Sequence, residues 1–310
     1  MAVQRKSGLY AVSVGDTLLG GITQQNLVTG TEVRSDKNSG DVYARFLALY
    51  AQKIAPGFTT TAIAAALGLC ATTGASLADM TGGLKLYAQK HADGGTRTAG
   101  AAHRSYGFAR GILLPRQLTV SHQGDATLSY DAVIVSADGI NAPMTITDAT
   151  ALPASAVGPS ERFTLGPVTV GGVALSQKTQ LQIDFGIDAV AEGADSDIWD
   201  TLASIREIQS TIRITGSDPE WLKSTNIPLE GKAATHLNTS IYLRKRAHGG
   251  TFVAGATEEH IKITADGLAY VDQVMSASGN NPSETTLVIA TRYDGTNAPL
   301  VVDTAAALPS

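Results

Sequence analysis

The chain repeats itself, and that limits what it can fold into more than any other feature. Asp138-Gly-Ile-Asn-Ala-Pro-Met-Thr-Ile-Thr-Asp-Ala-Thr-Ala-Leu-Pro153 lines up with Asp294-Gly-Thr-Asn-Ala-Pro-Leu-Val-Val-Asp-Thr-Ala-Ala-Ala-Leu-Pro309, and nine of the sixteen positions are identical. Unrelated segments share about one or two. The offset of 156 residues recurs upstream: Val12-Ser-Val-Gly15 meets Val168-Thr-Val-Gly171, Gly30 meets Gly186, and Asp41-Val-Tyr43 meets Asp197-Ile-Trp199. Gly111 and Gln117 meet Gly267 and Gln273 at the same spacing, and Tyr87-Ala-Gln-Lys-His-Ala-Asp-Gly-Gly-Thr96 meets Tyr242-Leu-Arg-Lys-Arg-Ala-His-Gly-Gly-Thr251 at 155. Two homologous tandem domains are expected, 1–155 and 156–310. The short join Pro153-Ala-Ser-Ala-Val-Gly-Pro159 keeps them neighbours.

Each copy reads as mainly β. Leu181, Ile183, Phe185 and Ile187 alternate with Gln182, Asp184 and Gly186, the period of a half-buried strand. Similar alternation runs through 126–132, 211–215 and 240–244, and 261–263 and 286–289 add further strands. Helical spacing predicts one flanking α-helix per copy. In the first, Val42, Tyr43, Phe46, Leu47, Leu49, Tyr50 and Ile54 form a stripe ending at Pro56-Gly57. In the second, Ile198, Trp199, Leu202 and Ile205 repeat it behind Asp195 and Asp197 as N-terminal acids. Tyr43, Phe46, Leu47, Trp199 and Leu202 are therefore expected in the core. A further short helix is expected to start at Ser217-Asp-Pro-Glu220, which has capping-box spacing. The fold expected is a β-sandwich or barrel with a flanking helix, twice over.

Composition narrows the function. Of 310 residues, 43% are hydrophobic and 16% charged, so the chain can bury a core. The formal charge of −5 argues against a dedicated nucleic-acid binder, which needs a basic excess. The single cysteine, Cys70, excludes an internal disulfide framework and reads as a buried inert thiol. The apolar run from Thr61 to Ala71 is too short to span a bilayer, so no membrane insertion is expected. Met1-Ala-Val-Gln-Arg-Lys6 is not followed by an apolar leader core, and synthesis in the cytosol is expected.

The search for chemistry is nearly empty. Gly15-Asp-Thr-Leu-Leu-Gly20-Gly21 lacks the Lys and Ser/Thr of a phosphate loop and reads as a turn. The acids Asp195, Asp197 and Asp200 read as a helix start rather than a calcium site, since the matching segment at 39–44 keeps only Asp41. His91, His103, His122, His236, His248 and His260 neither cluster at metal-ligand spacing nor match between copies. No catalytic, cofactor-binding or metal residue is assigned, no cofactor is expected, and the chain does not read as an enzyme.

Two similar β domains without a site suggest a structural subunit, because three duplicated chains supply six similar units to a ring. The copies differ in charge, 12 basic against 10 acidic residues in the first and 11 against 18 in the second, which suits unlike faces meeting. In this organisation, carried by the matched Asp41-Val-Tyr43 and Asp197-Ile-Trp199 and the matched Asp-Gly-x-Asn-Ala-Pro ends, the chain resembles the major tail (tail tube) proteins of long-tailed bacteriophages, in their duplicated form. The resemblance implies a virion structural protein whose homotrimeric, pseudo-hexameric rings stack by helical assembly into a tail tube. It also implies tape measure, terminator and distal tail proteins as partners, and a host bacterial cytoplasm as the place of synthesis. If each copy gives four strands to the lumen wall, six copies give 24 and a channel of roughly 30–40 Å, wide enough for a DNA duplex to pass without specific contact. Candidate ring or stacking contacts are Val33, Asp36 and Lys37, the hairpin carrying His91, Asp93, Gly94 and Gly95, and the hairpin carrying Arg244, Lys245, Arg246, Gly249 and Gly250. Another virion ring protein (distal tail or hub) and a twin β-sandwich carbohydrate-binding module are the alternatives.

Overall fold

The computed structural model describes residues 6–70, 72–91, 100, 102–153, 161–217, 238–279, 283–296 and 298–309. In the first half the strands are β1 (Lys6–Val14), β2 (Thr17–Leu19), β3 (Ile22–Asp36) and β4 (Phe46–Thr60), followed by the helix α1 (Ile63–Cys70). After them come β5 (Ala75–Ser76), a 3-10 turn (Leu77–Asp79), β6 (Leu84–His91), β7 (His103–Phe108), β8 (Gly111–Ser121), β9 (Thr127–Ile134) and β10 (Thr145–Thr150). The second half contributes β11 (Glu161–Val170), β12 (Val173–Ala174), β13 (Lys178–Asp184), β14 (Ile187–Glu192), β15 (Leu202–Ile208) and β16 (Thr211–Gly216). It ends with β17 (Thr239–Ala247), β18 (His260–Ala265), β19 (Gly267–Ser276), β20 (Glu284–Thr291) and β21 (Leu300–Ala306). The fold is mainly β, and every strand pairing is antiparallel.

Three sheets dominate. One five-stranded sheet runs β10-β7-β6-β1-β2, and a second runs β21-β18-β17-β11-β12. The third is a long sheet with the order β3-β4-β9-β8-β13-β16-β20-β19 and β5 attached to β8. The two five-stranded sheets have the same order when each strand is matched to the one about 156 residues further on. The long sheet shows the same relation, since β3-β4-β9-β8 corresponds to β13-β16-β20-β19. Even the irregularities correspond: β8 bulges against β9 between Pro115 and Gln117, and β19 against β20 between Val271 and Gln273.

Alternation places the core. In β9 every second residue is buried, so Leu128, Tyr130, Ala132 and Ile134 face inward while Thr127, Ser129 and Asp131 do not. Residues of all three sheets join one apolar cluster, including Val12, Leu86, Phe108, Leu118, Ile183, Ile214, Leu243, Ile263 and Ile289. Helix α1 buries Ile63, Ala66, Leu67 and Cys70, and the Tyr130 hydroxyl donates to the Ala66 carbonyl at 2.8 Å.

The two expected helices are strands instead. Residues 46–60 form β4, paired along its length with β3, and residues 202–208 form β15, paired with β14. Ala, Leu and Gln give residues 44–54 some helical preference, but that local bias is worth only tenths of a kcal/mol per residue. A full antiparallel ladder with the Thr- and Val-rich β3 outweighs it. Pro56 and Gly57 do not end the element; they lie within β4, opposite Leu27 and Asn26. The stripe is consequently not a core stripe: Val42 and Tyr43 are 83% and 82% exposed, and Phe46, Leu47 and Leu202 are exposed too. Of the two stripes, Ile54 is buried in the core and Trp199 packs against it. The one helix described, α1, falls in the Ala-rich run at 61–71. The short helix expected from Ser217-Asp-Pro-Glu220 lies, beyond Ser217, outside the described residues.

Two histidines do match. His103 opens β7 and His260 opens β18, both buried, and the ring Nδ1 of each accepts the backbone N–H of a lysine on the neighbouring strand, Lys90 and Lys245, at 3.0 Å. Their spacing is 157 rather than 156, which hides the match from a fixed offset. With Nδ1 accepting, the proton resides on Nε2, and in His260 that atom donates to the Ala254 carbonyl at 3.1 Å. His260→Phe fills the space but strands the Lys245 N–H. The expected loss in urea unfolding is about 1–3 kcal/mol, against near zero for the exposed His122→Phe.

Candidate assembly interface

The two halves meet edge to edge. Strand β8 of the first half pairs with β13 of the second, with Leu181 opposite Val120, Ile183 opposite Leu118 and Asp184 opposite Gln117. Arg116 reinforces the seam from its bulge: Nη1 donates to the Ile187 carbonyl at 2.7 Å, and the backbone carbonyl accepts the Phe185 N–H at 3.0 Å. The seam joins unlike edges. It uses the β8 edge of one half and, in the other, the edge corresponding to β3. That leaves β3 and β19, again unlike, at the two ends of the long sheet.

The end strands bear the marks of an unfinished seam. Leu118 on β8 is fully buried at the junction, whereas its counterpart Val274 on β19 is 45% exposed and the adjacent Met275 is 71% exposed. Strand β3 runs 15 residues and exposes Val28 and Val33. Long unpaired edges with apolar side chains are rare in monomers because they template pairing with another chain.

Each half also projects a hairpin with the same turn at its tip. In the first, Asp41 N–H donates to the Asn38 carbonyl and Arg45 N–H to the Asp36 carbonyl, at 3.0 and 2.9 Å. In the second, Asp197 N–H donates to Ala194 and Thr201 N–H to Glu192, at 3.1 and 3.0 Å. Gly40 and Ser196 occupy the same left-handed position, φ +92° and +74°. The acids read as helix caps organise these turns: Asp197 Oδ2 accepts the Ala194 N–H and the Thr201 hydroxyl, and Asp41 pairs with Arg45 at 2.6 Å.

Only the second tip is docked. A left-handed glycine at 186 bends its hairpin away from β13, and the place of a Cβ there is filled by the Gln209 carbonyl. The tip then sits on the 136–141 turn of the first half. Ile198 and Trp199 N–H groups both donate to the Gly139 carbonyl, at 2.8 and 2.9 Å, and Ser136 N–H donates to the Asp200 carbonyl at 2.7 Å. Asp138 shapes that turn by accepting the N–H groups of Ile140 and Asn141, which hold its carboxyl well below the usual carboxylate range. Gly139 has φ +72°, and Asp197 occupies the space a Cβ would need.

The candidate contacts divide. Val33, Asp36 and Lys37 lie exposed on the β3–β4 hairpin, and Gly249 and Gly250 lie on an exposed turn after β17. His91 ends β6; Asp93, Gly94 and Gly95 lie outside the described residues. The basic triplet is engaged within the chain. Arg244 and Arg246 stack on the Phe252 ring, at 4.2 and 4.6 Å from its centroid. Lys245 reaches Glu161 at 2.7 Å and Glu259 at 2.8 Å; the two carboxylates raise its pKa, and Lys245 lowers that of Glu259. What residue-by-residue reading missed is the 194–201 tip on Gly139. The signal was present, since both partners, Asp197-Ile-Trp199 and Asp138-Gly, belong to the best-matched repeats.

Among the described residues no group of three or more His, Cys, Asp or Glu is placed to hold a metal ion, and no helix is long and apolar enough to cross a membrane. No protein-family model matches the chain, and no curated protein matches it in sequence.

Two outcomes check this geometry. Gly139→Ala forces a side chain into a left-handed position already filled by Asp197, and should lower stability in chemical unfolding by about 1–3 kcal/mol. Burial pushes the Cys70 thiol up to about 11, so native protein at pH 8 should resist iodoacetamide and denatured protein should react fully, read by intact mass.

Proposed function

We propose that the chain is a tandemly duplicated structural subunit of a virion, building trimeric, pseudo-hexameric rings that stack into a phage tail tube. One observation carries this reading: the two halves join through unlike edges, β8 to β13, and leave the same two kinds of edge open, β19 and β3. A contact that uses different surfaces on its two sides repeats around a ring or along a helix. Applied between chains, the step that relates one half to the next brings β3 of one chain to β19 of its neighbour. Shifting the seam register by 156 sets Leu27 opposite Val274, apolar on apolar as Ile183 is opposite Leu118 within the chain.

The strand count supports the same reading. Each half gives four strands to the long sheet, so three chains give the 24 strands of a wall enclosing a channel roughly 30–40 Å across. The five-stranded sheets then form the outer layer. Genome passage through this lumen, and contact with tape measure, terminator and distal tail proteins, belong to the proposed role. The chain as a whole carries no basic excess that would favour retention of DNA.

Electron microscopy of the purified protein at rising concentration tests the proposal. Threefold rings with six lobes that stack into tubes are expected. Single rings that never stack favour a hub or distal tail component, and a persistent monomer removes the ring reading. Val274→Lys places a charge on an exposed edge. It should leave the thermal midpoint nearly unchanged while raising the concentration needed for assembly roughly tenfold.

A further inference from the structure

We infer that the tip of the β3–β4 hairpin, Asp41-Val42-Tyr43, docks on the turn at Gly295 of the adjacent chain. This rests on the ring reading above and specifies the contact that locks it.

Four observations point to it. The free tip already holds the turn of the docked tip, with matching hydrogen bonds at 36–45 and 192–201 and the left-handed residues Gly40 and Ser196. Gly295 repeats the Gly139 turn: it is left-handed at φ +93°, and Asp294 Oδ1 accepts the Thr296 N–H at 2.7 Å as Asp138 accepts that of Ile140. At Gly139 the space of a Cβ holds the Asp197 carboxylate, whereas at Gly295 it is empty. Finally, Val42 and Tyr43 are more than four-fifths exposed, whereas of their counterparts in the docked tip Trp199 packs on the core and Ile198 stays 49% exposed. A turn with an apolar pair at its apex and a receptor turn with a vacant glycine face are each half of an interface that the chain completes once internally.

The transposed contact is specific. The N–H groups of Val42 and Tyr43 donate to the Gly295 carbonyl, and Asp41 lies against the bare Cα. The Tyr43 ring takes the place of Trp199, which lines a cleft of about 240 Å³ with Ile54, Ala55 and Val133. The corresponding wall in the second half carries Thr211 and Ala290; Ser210, at the position of Ile54, is fully buried and donates its hydroxyl to the Phe185 carbonyl. A phenol in place of an indole accompanies Thr211 in place of Ala55. The chain has one internal seat and one seat offered outward, so the tip contributes one intermolecular lock per chain around the ring.

The test uses the full chain with a photoreactive benzoylphenylalanine at position 43, an exposed aromatic-for-aromatic change. Isotopically labelled and unlabelled chains are mixed, assembled and irradiated. Cross-links from position 43 to the peptide spanning 289–296, between labelled and unlabelled chains, are expected. Independently, Gly295→Asn fills the vacant face with a residue that tolerates the left-handed region. It should retain the wild-type thermal midpoint and need a roughly tenfold higher concentration to assemble. Rings in which position 43 cross-links elsewhere, or Gly295→Asn chains that assemble like wild type, overturn the seat and leave the ring reading standing. A wild-type chain that never assembles overturns both.

Discussion

The antiparallel pairing of β8 with β13 is the interaction from which the rest of the molecule takes its form. Backbone hydrogen bonds across that seam turn two four-stranded sheets into one, and the Arg116 guanidinium ties the seam to the start of β14. Pairing satisfies the N–H and C=O groups of both edges and removes the flanking apolar side chains from water. Leu118 and Ile183 are fully buried there, whereas Val274 on the open edge is not. Closing one seam cannot relieve the outer edges, because the joined surfaces differ. Each chain ends as it began, with one edge of each kind.

The two projecting hairpins show how one local structure serves two placements. Their tips share a turn, but the approach to the tip differs. Gly186 is left-handed and bends the second hairpin onto the first half, while Gly30, its counterpart, lies within the continuous β3 and the first hairpin runs straight out. An extended hairpin bearing Val33, Val42, Tyr43, Phe46 and Leu47 in the open is costly for an isolated chain and suited to one that is covered by a neighbour.

Much of the β class was legible because alternation in segments such as 127–134 and 211–216 reports a strand with one face buried. The hairpins were not, since residues 44–54 carry apolar groups at helical and strand spacings at once, and only pairing with β3 decides between them. Asp197, expected at a helix start, instead organises a tight turn, because an acid that caps a helix and one that closes a turn accept the same kind of backbone N–H group. His103 and His260 escaped a fixed-offset comparison through a one-residue slip. Arg244, Lys245 and Arg246 looked available to a partner, yet Phe252 and Glu259 from the following loop and Glu161, far off in sequence, engage them. The seat of the second tip was hardest to read, because a contact between two well-matched repeats looks in sequence like two unrelated turns.

Amide hydrogen exchange, compared between dilute monomer and assembled protein, probes the central idea that the internal seam is repeated between chains. Amides of β8 and β13 should be protected in both states, while the amides within 22–28 on β3 and 273–276 on β19 that point away from β4 and β20 should exchange quickly in the monomer and become protected together on assembly. Assembled protein in which those two end strands exchange as fast as in the monomer would contradict the account.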